Sequence, residues 1–133
     1  MFKRKKNYPV TVSFVKDHYE ELPAIFKKAC PHKEAFIGVC LLDGCFMCES
    51  PEETYSSLAV GERLSLNCNG EETVKPIEVK RNDGTVLGVL PFDESVLPSM
   101  LISRGIDVFC YVEATDFTAG LFSVAVSIYC EKY

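Results

Sequence analysis

Phe122-Ser-Val-Ala-Val-Ser-Ile-Tyr-Cys130 is the stretch whose reading decides the fold. Phe122, Val124, Val126, Ile128 and Cys130 alternate without a break with Ser123, Ala125, Ser127 and Tyr129. Successive side chains of a strand point to opposite faces, so this period of two describes a strand with one face in a core. Working back from it, Val108, Cys110, Val112 and Ala114 share one face of a preceding strand, and Thr115 to Gly120 is read as the turn between the two.

Further toward the N-terminus the pattern continues. Ser95 is a good helix N-cap; Pro98 then falls in the first turn, Leu97, Met100 and Leu101 form an apolar stripe, and Gly105 is a natural stop, which predicts a helix over about 96–104. Ile77 and Val79 alternate with Glu78 and Lys80, and Asp83-Gly84 is a hairpin turn signal. A two-residue turn there pairs Val79 with Gly88 and Ile77 with Leu90, placing Ile77, Val79, Val86 and Leu90 on one face. Leu64, Leu66 and Cys68 alternate with Arg63, Ser65 and Asn67, followed by a loop from Asn69 to Thr73. Residues 50–61 read as a polar, acidic connection, and Ala35 to Glu49 as a hairpin turning at Asp43-Gly44. Asp17 to Cys30 has helical character, beginning either at an Asp17/Glu20 capping box or at Pro23 and running to Ala29. Residues 8–15 alternate as a strand. Short antiparallel strands with one or two short helices predict a mainly β (α+β) chain, a small OB/SH3-like β-barrel, because closure removes exposed sheet edges.

The bulk properties agree with one domain over residues 8–133, preceded by a basic tail over 1–7. The chain has 133 residues, 47% of them apolar, without internal repeat or low-complexity tract. The longest apolar run, Ala35 to Leu42, has eight residues, far short of a membrane span. The basic start is followed by no hydrophobic segment, so no secretory signal is expected. Seven cysteines, an odd number set mostly inside apolar runs, read as reduced core thiols in a cytoplasmic protein. Lys3, Arg4, Lys5 and Lys6 carry the tail's charge; the remaining residues have ten basic and nineteen acidic side chains, a net charge of −9.

Catalytic and metal patterns are weak. Cys40, Cys45 and Cys48 with Cys30-Pro31-His32 contain zinc-type ligands, but on a hairpin turning at Asp43-Gly44, Cys40 and Cys45 share a face while Cys48 points away. Cys30 and His32, the closest thiol–imidazole pair, flank a proline that points them apart. No phosphate loop, serine elbow or paired metal carboxylates appear. The expectation is a non-enzyme with no metal and no cofactor. Single-strand binders stack bases on aromatics beside Lys or Arg. Phe92, Phe109, Tyr111, Phe117 and Tyr129 are the aromatic candidates, with Arg63, Lys75, Lys80, Arg81 and Arg104 as basic neighbours. Phe109 and Tyr111 share a strand face with Asp107 and Glu113, which predicts partial exposure; the competing reading packs these rings against the N-terminal segment.

Five pieces stand in an order that resembles the HIRAN domain over residues 58 to about 130. They are Leu58-Ala-Val-Gly-Glu62 with Leu64-Ser-Leu66, Pro76-Ile-Glu-Val79, Asp83-Gly-Thr-Val-Leu-Gly88-Val-Leu-Pro91, the short helix ending at Gly105, and Asp107 to Ala114. The resemblance implies a modified six-stranded antiparallel barrel that binds single-stranded DNA, especially a free 3′ end. The family's Asn-Pro-x-Asp-like segment is replaced by Gly70-Glu-Glu-Thr-Val-Lys75, with Glu72 at the aromatic position and Thr73 at the aspartate. A carboxylate there repels phosphate. The leading expectation is a non-catalytic HIRAN-like domain binding nucleic acid, single-stranded DNA ends, weakly or with a partner, through Lys75, Lys80, Arg81, Phe92, Arg104, Phe109 and Tyr111. The alternative, favoured by the acidic body, is a protein-interaction or regulatory domain that has lost the DNA site.

Overall fold

The long alternating stretch is strand β6 (Leu121–Glu131), and its apolar set is buried as its period requires. The computed structural model describes residues 16–22, 34–67 and 76–131. Within them lie β1 (Glu34–Leu41), β2 (Arg63–Asn67), β3 (Glu78–Lys80), β4 (Val86–Val89) and β5 (Val108–Thr118), with helices α1 (Pro51–Ser57) and α2 (Phe92–Ser103). Two short 3₁₀ turns, Tyr19–Glu21 and Cys45–Met47, complete the described elements.

All pairings are antiparallel, in the order β1-β6-β5-β2-β3-β4. Asp43, just beyond β1, exchanges two backbone hydrogen bonds of 2.9 Å with Val89 of β4. The two ends of the sheet therefore meet, and the sheet curls into the small barrel-like α+β fold that the alternation predicts. Register shifts at Phe36/Gly38, Val79/Lys80 and Val112/Ala114 add the local bend that such curling needs. Leu64, Ile77, Val79, Leu87, Leu90, Val108, Val112, Val124, Val126 and Ile128 fill the interior, joined by Leu97 and Leu101 of α2.

Several expectations change. Ala35 to Glu49 is not a hairpin: Asp43 pairs with Val89 rather than turning the chain, Gly44 takes a left-handed conformation, and Cys45–Met47 is a 3₁₀ turn. Cys45 and Cys48 are then both buried rather than on opposite strand faces. The acidic connection contains α1, with Pro51 in its first turn. Val79 does pair with Gly88, but a bulge beyond it turns Leu87 inward and leaves Val86 half-buried, and the loop is Asn82-Asp83-Gly84. α2 begins four residues early, at Phe92, so Pro98 lies in the helix interior. Its end is as expected: Gly105 has φ +83, its N–H donates to Ile102 and that of Ile106 to Leu101, a Schellman closure. β5 runs to Thr118 with only Ala119-Gly120 as the turn, and the bulge at Glu113 leaves Ala114 exposed. The strand expected over 8–15, most of the helix expected after Asp17, the Cys30/His32 pair and the 69–75 loop lie outside the described residues.

Candidate binding face

The outer face of the sheet gathers what the sequence scatters. Cross-strand register sets Glu34 opposite Glu131 and Phe36 opposite Tyr129 on β1 and β6, then Tyr129 opposite Phe109 on β5. Arg63 of β2 stands opposite Tyr111. Asp107 neighbours Glu131, whose Oε1 accepts the Asp107 N–H at 3.2 Å. The result is a row of three carboxylates, Glu34, Glu131 and Asp107, bordering a floor of four rings.

The rings pack edge to face: Phe36–Tyr129 at 5.5 Å, Tyr111–Tyr129 at 5.4 Å and Phe109–Tyr111 at 5.8 Å between centroids. Phe109 and Tyr129 are parallel at 6.4 Å. The Arg63 guanidinium carbon sits 3.7 Å over the Phe109 ring, which helps leave Phe109 only 4% exposed although it faces outward. Arg63 reaches Asp107 Oδ2 at 3.4 Å and Glu34 Oε2 at 3.9 Å. The Tyr111 hydroxyl donates to Glu34 Oε2 at 2.7 Å. That bond, with some desolvation, raises the Tyr111 hydroxyl above its ordinary pKa. Phe36 remains open, 48% exposed, with Val39 and Leu41 continuing the exposed apolar side of β1.

Of the residues expected to bind nucleic acid, Phe109 and Tyr111 fall on this face, joined by Tyr129 and Arg63 from the wider set of aromatic and basic candidates, and Phe109 is covered rather than partly exposed. Arg81 is a clasp: it donates to Glu62 at 2.8 Å and to Ser57 Oγ at 2.8 Å, and the carboxylate keeps its guanidinium pKa raised. Arg104 lies over Tyr19, 5.1 Å from the ring centre, and reaches Glu20 at 3.8 Å. Lys80 stands 3.9 Å from Glu78. Phe92, 80% exposed, opens α2. Lys75 lies outside the described residues. Sequence reading passed over Phe36, Glu34 and Glu131; the signal was the i, i+2 spacing of Glu34 and Phe36 at the start of an apolar run, matched by Tyr129 and Glu131.

Seventeen of the chain's nineteen acidic residues lie within the described residues, against five of its fourteen basic ones. No group of three or more metal-ligating side chains is assembled among the described residues. Burial pushes Cys40 up to about 11 and Cys110 and Cys130 to about 12, which leaves these thiols protonated at neutral pH. A cavity of about 540 Å³, lined by Met47, Cys48, Pro76, Val86 and Val89, lies between the second 3₁₀ turn and the β3–β4 hairpin, away from the rings. No described helix is long and apolar enough to cross a membrane.

No family model matches the sequence, and no curated protein matches it. A crystal structure of a protein from Lactobacillus plantarum aligns with a TM-score of 0.65 over 76% of this chain and 98% of that one, at 14% sequence identity. At that identity the likeness establishes the fold alone: this chain shares the small barrel-like α+β architecture of that protein.

Proposed function

We propose that this chain is a non-catalytic binding domain of HIRAN-like build that meets a protein partner on the outer face of β1, β6 and β5. The observation that carries this reading is the charge of that face. Three carboxylates border the rings, and the one arginine among them already serves two of the three. A phosphate backbone entering there meets net negative charge, which opposes the electrostatic term that nucleic-acid affinity depends on. The half-open apolar row of Phe36, Val39 and Leu41 beside a charged border has the make-up of a protein interface. Burial raises the Cys40, Cys110 and Cys130 thiols, the opposite of the shift a cysteine nucleophile needs, which supports the non-catalytic part as far as these three are concerned.

The ring cluster favours a second reading, capture of a single-stranded DNA end. A strand terminus needs few phosphate contacts, so stacking on Phe36 and Tyr129 can carry much of the affinity.

Site-specific photocrosslinking separates the two. With benzoylphenylalanine at Val39, a discrete protein adduct is expected in cell extract, absent when the probe is at Met47. In parallel, labelled single-stranded oligonucleotides with free or blocked 3′ ends are titrated at low and high salt. Low-salt binding that Phe36→Ala abolishes overturns the protein reading in favour of the DNA one.

A further inference from the structure

We infer that the partner segment this face takes is basic, and that an arginine side chain of it lies across Phe36 and Tyr129 between Glu34 and Glu131. The inference rests on the protein-partner reading and narrows it. Arg63 is the internal precedent: a guanidinium held over a ring at 3.7 Å with carboxylates at 3.4 and 3.9 Å. Across β6 the same components recur. Phe36 is half open and packs on Tyr129, and Glu34 stands directly opposite Glu131.

Like charges directly opposed on one sheet face destabilise it. Among the described residues no cation neutralises Glu131; its carboxylate is held by the Asp107 N–H. Among the described residues one arginine therefore serves two of the three carboxylates and leaves Glu131 without a cation. A cation from outside relieves that repulsion and gains the π face of an exposed ring. Guanidinium fits better than ammonium, because its planar fork both stacks and reaches two carboxylates. The exposed Val39 and Leu41 extend the contact along the strand.

The test uses a fluorescein-labelled nine-residue peptide of alternating arginine and glycine, titrated into the full chain by anisotropy. The variants are Phe36→Leu, Glu131→Gln and, as a control of equal charge change on α1, Glu52→Gln. Glu131→Gln keeps the oxygen that accepts the Asp107 N–H, and Phe36→Leu keeps an apolar side chain at a half-exposed position, so both leave the fold in place. Phe36→Leu is expected to weaken binding roughly three- to tenfold, the range of an exposed to partly desolvated cation–π contact, and Glu131→Gln roughly two- to fivefold, the loss of one exposed ion pair. Glu52→Gln is expected to change it less than twofold. Absence of binding, or equal losses from Glu52→Gln and Glu131→Gln, overturns the inference, the latter by revealing general attraction of a polycation to an acidic surface. A crosslinked partner at Val39 together with peptide binding indifferent to Phe36 and Glu131 overturns it while leaving the protein-partner reading standing. Competition by a nine-nucleotide single strand, lost in Phe36→Leu, overturns both.

Discussion

Gly88 is where the two ends of the sheet are allowed to meet. A Cβ there would come within 2.6 Å of the Asp43 carbonyl oxygen, 3.2 Å of Cys45 Sγ and 3.3 Å of Leu42 Cβ. The first of these is backbone, engaged in the bridge to Val89, and has no freedom to move aside. Gly88→Ala is therefore expected to cost about 1–3 kcal/mol, the range of overpacking, seen as a lower urea midpoint at unchanged slope. An unchanged midpoint would show that the contact between the sheet ends is dispensable. Arg81 makes a comparable prediction from electrostatics. Its side chain is 16% exposed and ties Glu62 and Ser57 to the β3–β4 hairpin. Arg81→Met keeps the aliphatic stem but leaves the partly buried Glu62 without its ion pair, for an expected loss of about 1.5–3 kcal/mol in the same measurement. The candidate DNA-binding arginine is in this respect a structural one, and its removal is expected to act on stability before it acts on any ligand.

At the scale of elements, what the sequence made legible is what a single buried face dictates. β6 follows its alternation from end to end because one side is core throughout, and the end of α2 follows because Gly105 is suited to its left-handed position. The errors fall where one residue is inserted or a distant partner intervenes. Bulges at Glu113 and beside Gly88 reverse the facing of Ala114 and exchange Val86 for Leu87, and no local pattern marks them. Asp43-Gly44 resembles a hairpin turn, yet Asp43 is claimed by Val89 through a pairing of long sequence separation. The binding face was half legible for the same reason: Phe109 and Tyr111 sit together on one strand, whereas Phe36, Arg63 and Tyr129 join them only through register. The 16–22 segment is likewise integral to the fold. Tyr19 hydrogen-bonds Ser103 and sits under Arg104, and Leu22 is wholly buried. Leu22→Ala is expected to destabilise the whole domain by about 2–5 kcal/mol in a single transition. A separate early transition in its place would mean that this segment is an appendage.

For the molecule as a whole, the buried thiols set a limit on the alkaline side. Unfolded thiols ionise near pH 9, whereas burial raises Cys110 and Cys130 to about 12, and burial with the nearby Glu94, Asp43 and Asp93 raises Cys40 to about 11. Above pH 9 the unfolded chain releases these protons and the folded chain keeps them, so the unfolded state gains. The stabilising contribution is complete below about pH 8.5 and declines as pH rises toward the folded values. Each fully buried thiol removes at most about 1.4 kcal/mol per pH unit in that window, so Cys110 and Cys130 together remove about 3 kcal/mol per unit. Tyr111, raised by its bond to Glu34, acts with the same sign from about pH 10 upward. Urea unfolding under reducing conditions at half-unit steps from pH 8 to 10.5 is expected to show this decline. The Cys110→Ala/Cys130→Ala variant separates the two thiols from every other contribution to the alkaline decline. Below pH 8.5 it differs from the wild type by a constant offset, the loss of two buried sulfurs. Above pH 9 its stability falls less steeply by about 2–3 kcal/mol per unit. Parallel curves would mean that Cys110 and Cys130 ionise freely in the folded barrel, a result incompatible with two thiols sealed in its core.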